Sequence, residues 1–271
     1  MRKQLPLGLV LEGNSTSSVV LRLPTVGEEL GPVKSGAIRV ARRSSNFLKA
    51  GYPVAKYEEL QAARLILLRL PDSAVPRLVG ELCQAKLIFK DLSFVLCESW
   101  LNSDALLPLA DRGATVATIV SVPSSRDKWF VVEGQLTAVR QIRRFMERNE
   151  ARAFEIHPGT KPLYFAAALL TTALPVPLFF NAQKALRASG INGHQLYGLL
   201  DEMAKDMFRS FVNGARITWG GPLTQCSEET ANAYLSAVRE KHPQIGEAVD
   251  EQLAWVRSKL PKQRYTIEQA Q

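Results

Sequence analysis

From Leu7 to Ile156 short apolar runs of strand length alternate with longer amphipathic stretches, whereas beyond Lys161 the apolar residues recur at helical spacing. The pattern predicts strands at Leu7–Leu11, Ala37–Arg43, Leu65–Leu70, Leu92–Glu98, Thr115–Val122, Trp129–Glu133 and Ala153–Ile156. Between them it predicts helices at Ser15–Leu23, stopped by Pro24, at Tyr57–Ala63, from the Pro71-Asp72-Ser73 cap to Lys86, at Asp104–Arg112 and at Leu136–Asn149. Strands alternating with helices imply a mostly parallel sheet with helices on both faces, an α/β domain of Rossmann-like type. The second half predicts helices over Ala182–Ser189, from Asn192 to Val212, from the Ser227 cap to Lys241, and from Pro243 to Leu260. The division is therefore residues 1–157 as the α/β domain, 158–262 as an all-α domain and 263–271 as a tail.

The junction between the halves is the longest uncharged stretch of the chain. Pro162 to Gln183 carries no formal charge, which passes the length test for a membrane span. Its Ala and Thr content and its central Pro175 and Pro177 gain little from lipid, so the expected state is the buried spine of a soluble helical domain, broken at the prolines.

Composition narrows the partners. At 46% hydrophobic residues the chain is globular, and a formal charge of +8 with a pI near 9.5 permits an anionic ligand. No block of basic residues or recognition helix concentrates that charge, so nucleic acid is not expected as a partner. The N-terminus lacks the apolar core of a signal peptide, and Cys83, Cys97 and Cys226 are odd in number with no metal-ligand spacing. His157, His194 and His242 fall in separate elements, so no metal is expected and the expected compartment is the cytoplasm.

A strand, a tight turn and a helix at the start of the chain is the order in which dinucleotide-binding domains begin, with backbone N–H groups turned toward a diphosphate. Aligned to G-x-G-x-x-G, the turn has Leu11, Gly13 and Thr16 at the three glycine positions. Gly13, Asn14 and Ser15 are the candidate phosphate contacts, although the serines and threonine here are equally good helix caps. Arg42, Arg43 and Ser44 close the expected second strand without an acidic residue. They are either ligands for the 2′-phosphate of NADP or a solvated pair of arginines before a helix cap. Arg69, at the end of the Leu65–Leu70 strand, is a further phosphate candidate, and Ser121 lies at the end of another strand where ligands of open sheets sit.

The chain resembles bacterial Rossmann-like proteins with a helical C-terminal domain of unknown function, similar to the superfamily of ketopantoate reductase, pyrroline-carboxylate reductase and 6-phosphogluconate dehydrogenase. The residues that carry the resemblance are Leu7-Gly8-Leu9-Val10 through Gly13, Leu67-Leu68-Arg69-Leu70-Pro71-Asp72, Leu106–Leu109 with Gly113-Ala114, Val131-Val132-Glu133-Gly134, Lys161 with Tyr164–Ala168, and Gly220-Gly221-Pro222. The resemblance implies an NADP-dependent oxidoreductase acting on a small molecule, and a helical domain that pairs two subunits. It implies Lys161 as proton donor or electrostatic stabiliser, with Tyr164 or Ser121 orienting the substrate. Departures stand beside it: Glu98-Ser99 where relatives have Ser-Gly, Val120-Ser121 where they have His-Pro, and Phe165 where an amide partner for the lysine is expected. They leave open a catalytically silent homodimer that binds a nucleotide or a partner protein.

Overall fold

The computed structural model describes residues 7–12, 18–122, 128–214, 221–223 and 226–259. Eight strands form one sheet: β1 (Leu7–Leu11), β2 (Leu30–Ser35), β3 (Tyr52–Val54), β4 (Leu65–Arg69), β5 (Ser93–Cys97), β6 (Thr115–Ser121), β7 (Trp129–Gly134) and β8 (Arg152–Glu155). Their order is β3-β2-β1-β4-β5-β6-β7-β8, parallel throughout except where β7 runs against β6. The chain starts at β1, extends to one side through β2 and β3, then crosses back to β4, which places the topological switch point between β1 and β4.

Strand alternation sorts the core onto two faces. Leu9, Leu67, Val95, Cys97 and Ile119 pack on one face with Val20, Ile142 and Phe145, while Val10, Ile66, Leu68, Phe94 and Leu96 pack on the other with Leu78, Leu82 and Leu109. Helices α2 (Ile38–Leu48), α3 (Val75–Gln84), α4 (Leu107–Ala110) and α5 (Leu136–Arg148) supply these outer layers, together with the short α1 (Pro24–Glu29). Gly134 has φ 147°, and a side chain there would meet the Ala117 backbone at 2.5 Å, so the antiparallel β6–β7 pair needs glycine at this position.

Two predicted elements are overturned. The helix expected at Ser15–Leu23 is only a 3-10 turn at Val20–Arg22 among its described residues, and α1 starts at Pro24 instead of stopping there. Proline is at home in a first helical turn, and Leu23 before it takes the extended backbone that proline imposes. The strand expected at Ala37–Arg43 is the start of α2. Ala41, Ser44 and Ser45 face the sheet at helical spacing while Arg42 and Arg43 project outward. The true second strand carries Gly31 and Pro32, which read as breakers; an irregularity in the β1–β2 register between Leu7 and Leu9 lets the proline sit inside a ladder.

Compact units divide the chain at Met1–Ala167 and Ala168–Gln271, ten residues beyond the expected boundary, so the first turns of α6 (Lys161–Thr171) belong with the sheet. The second unit holds the rest of α6, then α7 (Val176–Ala188), α8 (Gly193–Val212), α9 (Glu228–Lys241) and α10 (Pro243–Lys259). Its helices break around Pro175 as expected, and Ser227 caps α9 by accepting from the Thr230 N–H. Gly246 lies so close to Arg239 that a side chain would meet backbone at 2.9 Å, which lets α9 and α10 pack closely.

The apolar junction is not the buried spine that its composition suggested. Over Lys161–Ala188 an 18-residue window of mean hydropathy 1.8 has none of its residues buried. Leu170, Leu174, Phe180, Phe208 and Phe211 are all more than half exposed, and in the second unit Leu196 and Ala231 are the buried apolar side chains among the described residues. Among the described residues no further layer covers these faces.

Candidate functional site

Ligands of open α/β sheets bind beyond the carboxyl ends of the strands. In this chain that edge is formed by Glu12 after β1, Lys34 and Ser35 ending β2, Arg69 ending β4 with Asp72 just beyond it, Glu98 and Ser99 after β5, and Ser121 ending β6. A cavity of about 660 Å³ opens instead at the amino ends, against Leu7, Arg64, Leu65 and Arg144. Its position opposite the switch point makes it a poor candidate for the dinucleotide despite its size.

Among the described residues, the end of β5 is the most densely bonded point of the carboxyl edge. Glu98 has φ 56°, a left-handed backbone uncommon for a residue with a side chain. From there its Oε1 accepts from Ser18 Oγ at 3.3 Å, Val19 N at 3.1 Å and Val20 N at 3.4 Å, and its Oε2 accepts from Ser121 Oγ at 2.7 Å and Ser121 N at 3.4 Å. One carboxylate thus joins the segment after β1 to the end of β6. Beside it Ser99 donates to Asp72 at 2.6 Å and accepts from Leu101 N at 3.0 Å.

Lys161, the first residue of α6, is 1% exposed. Its Nζ donates to the Leu101 carbonyl at 2.7 Å and to Thr118 Oγ1 at 2.6 Å. Thr118 in turn donates to Glu133, which also accepts from Ser103 N, Ser103 Oγ and Gly159 N. Burial pulls the Lys161 ammonium down to about 8, against the opposing influence of the Glu133 carboxylate. Tyr164 is half-buried one turn on, stacked on Trp100 with ring centroids 5.7 Å apart, and Phe165 meets the same indole edge-on at 5.0 Å. Burial raises the Tyr164 phenol.

At the other end of the edge, Arg77 pairs with both Glu12 and Glu81, Tyr57 Oη donates to Glu81 at 2.6 Å, and the Lys34 ammonium lies 4.5 Å from the centre of the Tyr57 ring. The space that Glu12, Ser35, Gly36, Tyr57 and Arg77 leave at the ends of β1 and β2 is about 20 Å³, room for no more than one water.

The predicted residues therefore separate. Ser121 is tied to Glu98; Lys161 and Tyr164 share one helical turn, with Lys161 turned into the sheet unit; Arg69 stands at the switch point. Arg42 and Arg43 are exposed on α2 and Ser44 is buried beneath it, so none of the three closes a strand as expected. The helical periodicity of the 38–48 stretch was the available signal. Gly13, Asn14 and Ser15 lie outside the described residues, as does most of the Gly-rich stretch at 214–224. Glu98 and Glu133 were missed as bonded centres, because nothing local announces a partner eighty or thirty positions away.

For a dinucleotide the fit is set by two groups. Arg69 Nε is buried without a hydrogen-bond partner, an orphaned cationic donor that an anionic group would satisfy. β2 ends on Lys34 and Ser35 with no acidic residue, which suits a 2′-phosphate better than a bare ribose. Against it stand two carboxylates on the same edge, Glu98 after β5 and Glu12, paired with Arg77, after β1. Among the described residues no cluster of three His, Cys, Asp or Glu side chains could hold a metal ion.

The fold has many solved counterparts. A candidate NADP oxidoreductase from Bacteroides fragilis matches with TM-score 0.71 at 16% identity, over 94% of this chain and 96% of its own. An imine reductase from Streptomyces aurantiacus matches with TM-score 0.64 at 17% identity, over 93% and 92%. A pyrroline-5-carboxylate reductase from Coxiella burnetii matches with TM-score 0.60 at 11% identity, over 94% and 99%. No curated protein matches the chain in sequence. Residues 128–249 match a family described as a domain of unknown function, DUF2520. At these identities the likeness establishes a Rossmann-type sheet followed by a helical region, the architecture shared by these reductases.

Proposed function

We propose that this chain is an oxidoreductase of the Rossmann-plus-helical type that uses NADP and acts on a small molecule. The observation that carries the reading is Arg69: a guanidinium at the switch point with a buried Nε awaiting an acceptor. In the reductases of similar fold a nucleotide-type cofactor would supply hydride; in this chain Arg69 would hold one of its anionic groups. Lys161, held by Thr118 and Leu101, keeps a proton that is released near neutral pH, the range in which general acids work best. Ser99 and Asp72 fix the turn that carries Trp100, which with Tyr164 forms an aromatic wall for a substrate.

The exposed apolar faces of α7 and α8 support a homodimer formed through the helical unit, soluble and cytoplasmic, since a second copy would cover what a single chain leaves bare. A second reading, a catalytically silent homodimer that binds a partner protein in place of a dinucleotide, is favoured by the narrow 20 Å³ space at the ends of β1 and β2. Calorimetric titration with NADPH and NADH separates the two. The oxidoreductase reading expects saturable NADPH binding, tighter than NADH and weakened at least tenfold by Arg69→Ala; no heat from either cofactor at millimolar concentration overturns it.

A further inference from the structure

We propose that Glu133 is a positioning residue for Lys161: from β7 it fixes, through the Thr118 hydroxyl and the two chain segments that flank the ammonium, where Lys161 points and that it stays charged. The contacts stand by themselves; their use in chemistry rests on the oxidoreductase reading, in which Lys161 bears the proton. Thr118 of β6 and Glu133 of β7 are direct cross-strand partners, so their side chains lie together on one face of the sheet. With Lys161 they form a fully buried line, ammonium to hydroxyl at 2.6 Å and hydroxyl to carboxylate at 3.3 Å.

A carboxylate only accepts, and Glu133 takes four donors on its two oxygens. Ser103 Oγ at 2.8 Å and Gly159 N at 3.1 Å reach Oε1, while Ser103 N at 3.0 Å and Thr118 Oγ1 at 3.3 Å reach Oε2. Thr118 has a single hydroxyl proton, and it is committed to Glu133. Its oxygen is left to accept from Lys161, which suits an ammonium; a neutral amine would bring a lone pair for which Thr118 has no proton left. The same carboxylate sets the surroundings. Ser103 lies just beyond Leu101, whose carbonyl is the second acceptor of the ammonium at 2.7 Å, and Gly159 lies just before Lys161 itself. A buried ionic group is often no more stabilising than apolar side chains of the same volume, so the line calls for a role besides packing. Burial pulls the ammonium down, and three groups oppose it: Glu133 from β7 most, then Asp72 just after β4, then Cys97 from β5.

The test is NMR titration of the lysine Cε resonances in the full chain, with Lys161 assigned by its loss in Lys161→Met. It is repeated in Glu133→Gln, Thr118→Val and Thr118→Ser. Glu133→Gln keeps the shape and removes the charge, and should lower the Lys161 midpoint by about one pH unit or more. Thr118→Val should lower it too, whereas Thr118→Ser, which keeps the hydroxyl, should hold the native value. An unchanged midpoint in Glu133→Gln, with only the melting temperature lowered, overturns the proposal, and so do equal midpoints in the valine and serine variants. Should Glu133→Gln fail to fold, the Thr118 pair decides alone. The titration needs no cofactor, so a chain that binds no NADPH yet shows these shifts loses the oxidoreductase reading and keeps the role of Glu133.

Discussion

The sheet unit and the helical unit are written with similar proportions of apolar side chains, yet they dispose of them differently. In the first, Leu7, Leu9, Ile66, Leu68, Phe94, Phe130 and Phe145 are each no more than 1% exposed. In the second, Leu178, Phe180, Met203, Met207 and Phe208 stand between 46% and 61% exposed. A sheet buries two faces under its own crossover helices, so one chain closes the core. A few helices on one chain have no such cover, and their stripes call for a second surface. A stability argument that treats the chain as one body would miss this.

The comparison can be broken at several points. The largest effect is expected from Phe94→Ala, which opens a cavity between β5 and Phe89 and should cost about 3–5 kcal/mol in urea unfolding. Phe180→Ala should cost under about 1 kcal/mol in dilute monomer; equal losses at the two sites would abolish the contrast. Next, light scattering should give the native chain twice the mass of its 30.0 kDa protomer, and Phe208→Asp should weaken that association about a hundredfold, or about 3 kcal/mol. A monomeric native chain would leave the helical faces to some other cover.

A smaller effect concerns the joint between sequence halves. Lys161 is depressed from 10.5 to about 8 in the folded state, so below pH 8 both states carry the proton and the full burial penalty applies. As pH rises from 8 toward 10.5 the unfolded chain binds the extra proton and folding gains stability, about 1.5 kcal/mol between pH 8 and pH 9.5. Urea midpoints measured across that range should rise, and Lys161→Met should flatten the rise; a flat native profile would mean the amine is solvated. The smallest effect is Ser227→Ala, about 1 kcal/mol through the lost cap of α9, read by hydrogen exchange confined to that helix. Protection lost equally in β5 would show that the two units unfold together.

Much of the sheet was legible because local pattern and tertiary outcome agree. Leu65–Arg69, Ser93–Cys97 and Thr115–Ser121 are continuous apolar strands bounded by turn residues, and each forms where its pattern placed it. The agreement fails at β2, where Gly31 and Pro32 argue against a strand that the neighbouring β1 nevertheless recruits. It fails again at Arg42 and Arg43, whose charges suggested a strand end but lie on the outer side of α2. At the candidate site, Arg69 and Ser121 were visible as polar residues closing apolar strands. Glu98 was visible in the same way, and also as a departure from a motif, but its partners Val19 and Ser121 were not.

By itself the sequence determined the alternation of strands and helices, the change to helices after Lys161, and the break at Pro175, since these follow from side-chain periodicity and from what proline does to its own backbone. Only the tertiary structure decided that Glu98 reaches Val19 and Ser121, that Lys161 turns inward to Thr118, and that the apolar run of α6 and α7 stays uncovered by its own chain. Those outcomes depend on which strand lies beside which and on how many layers one chain can supply, and no local window of residues carries that information.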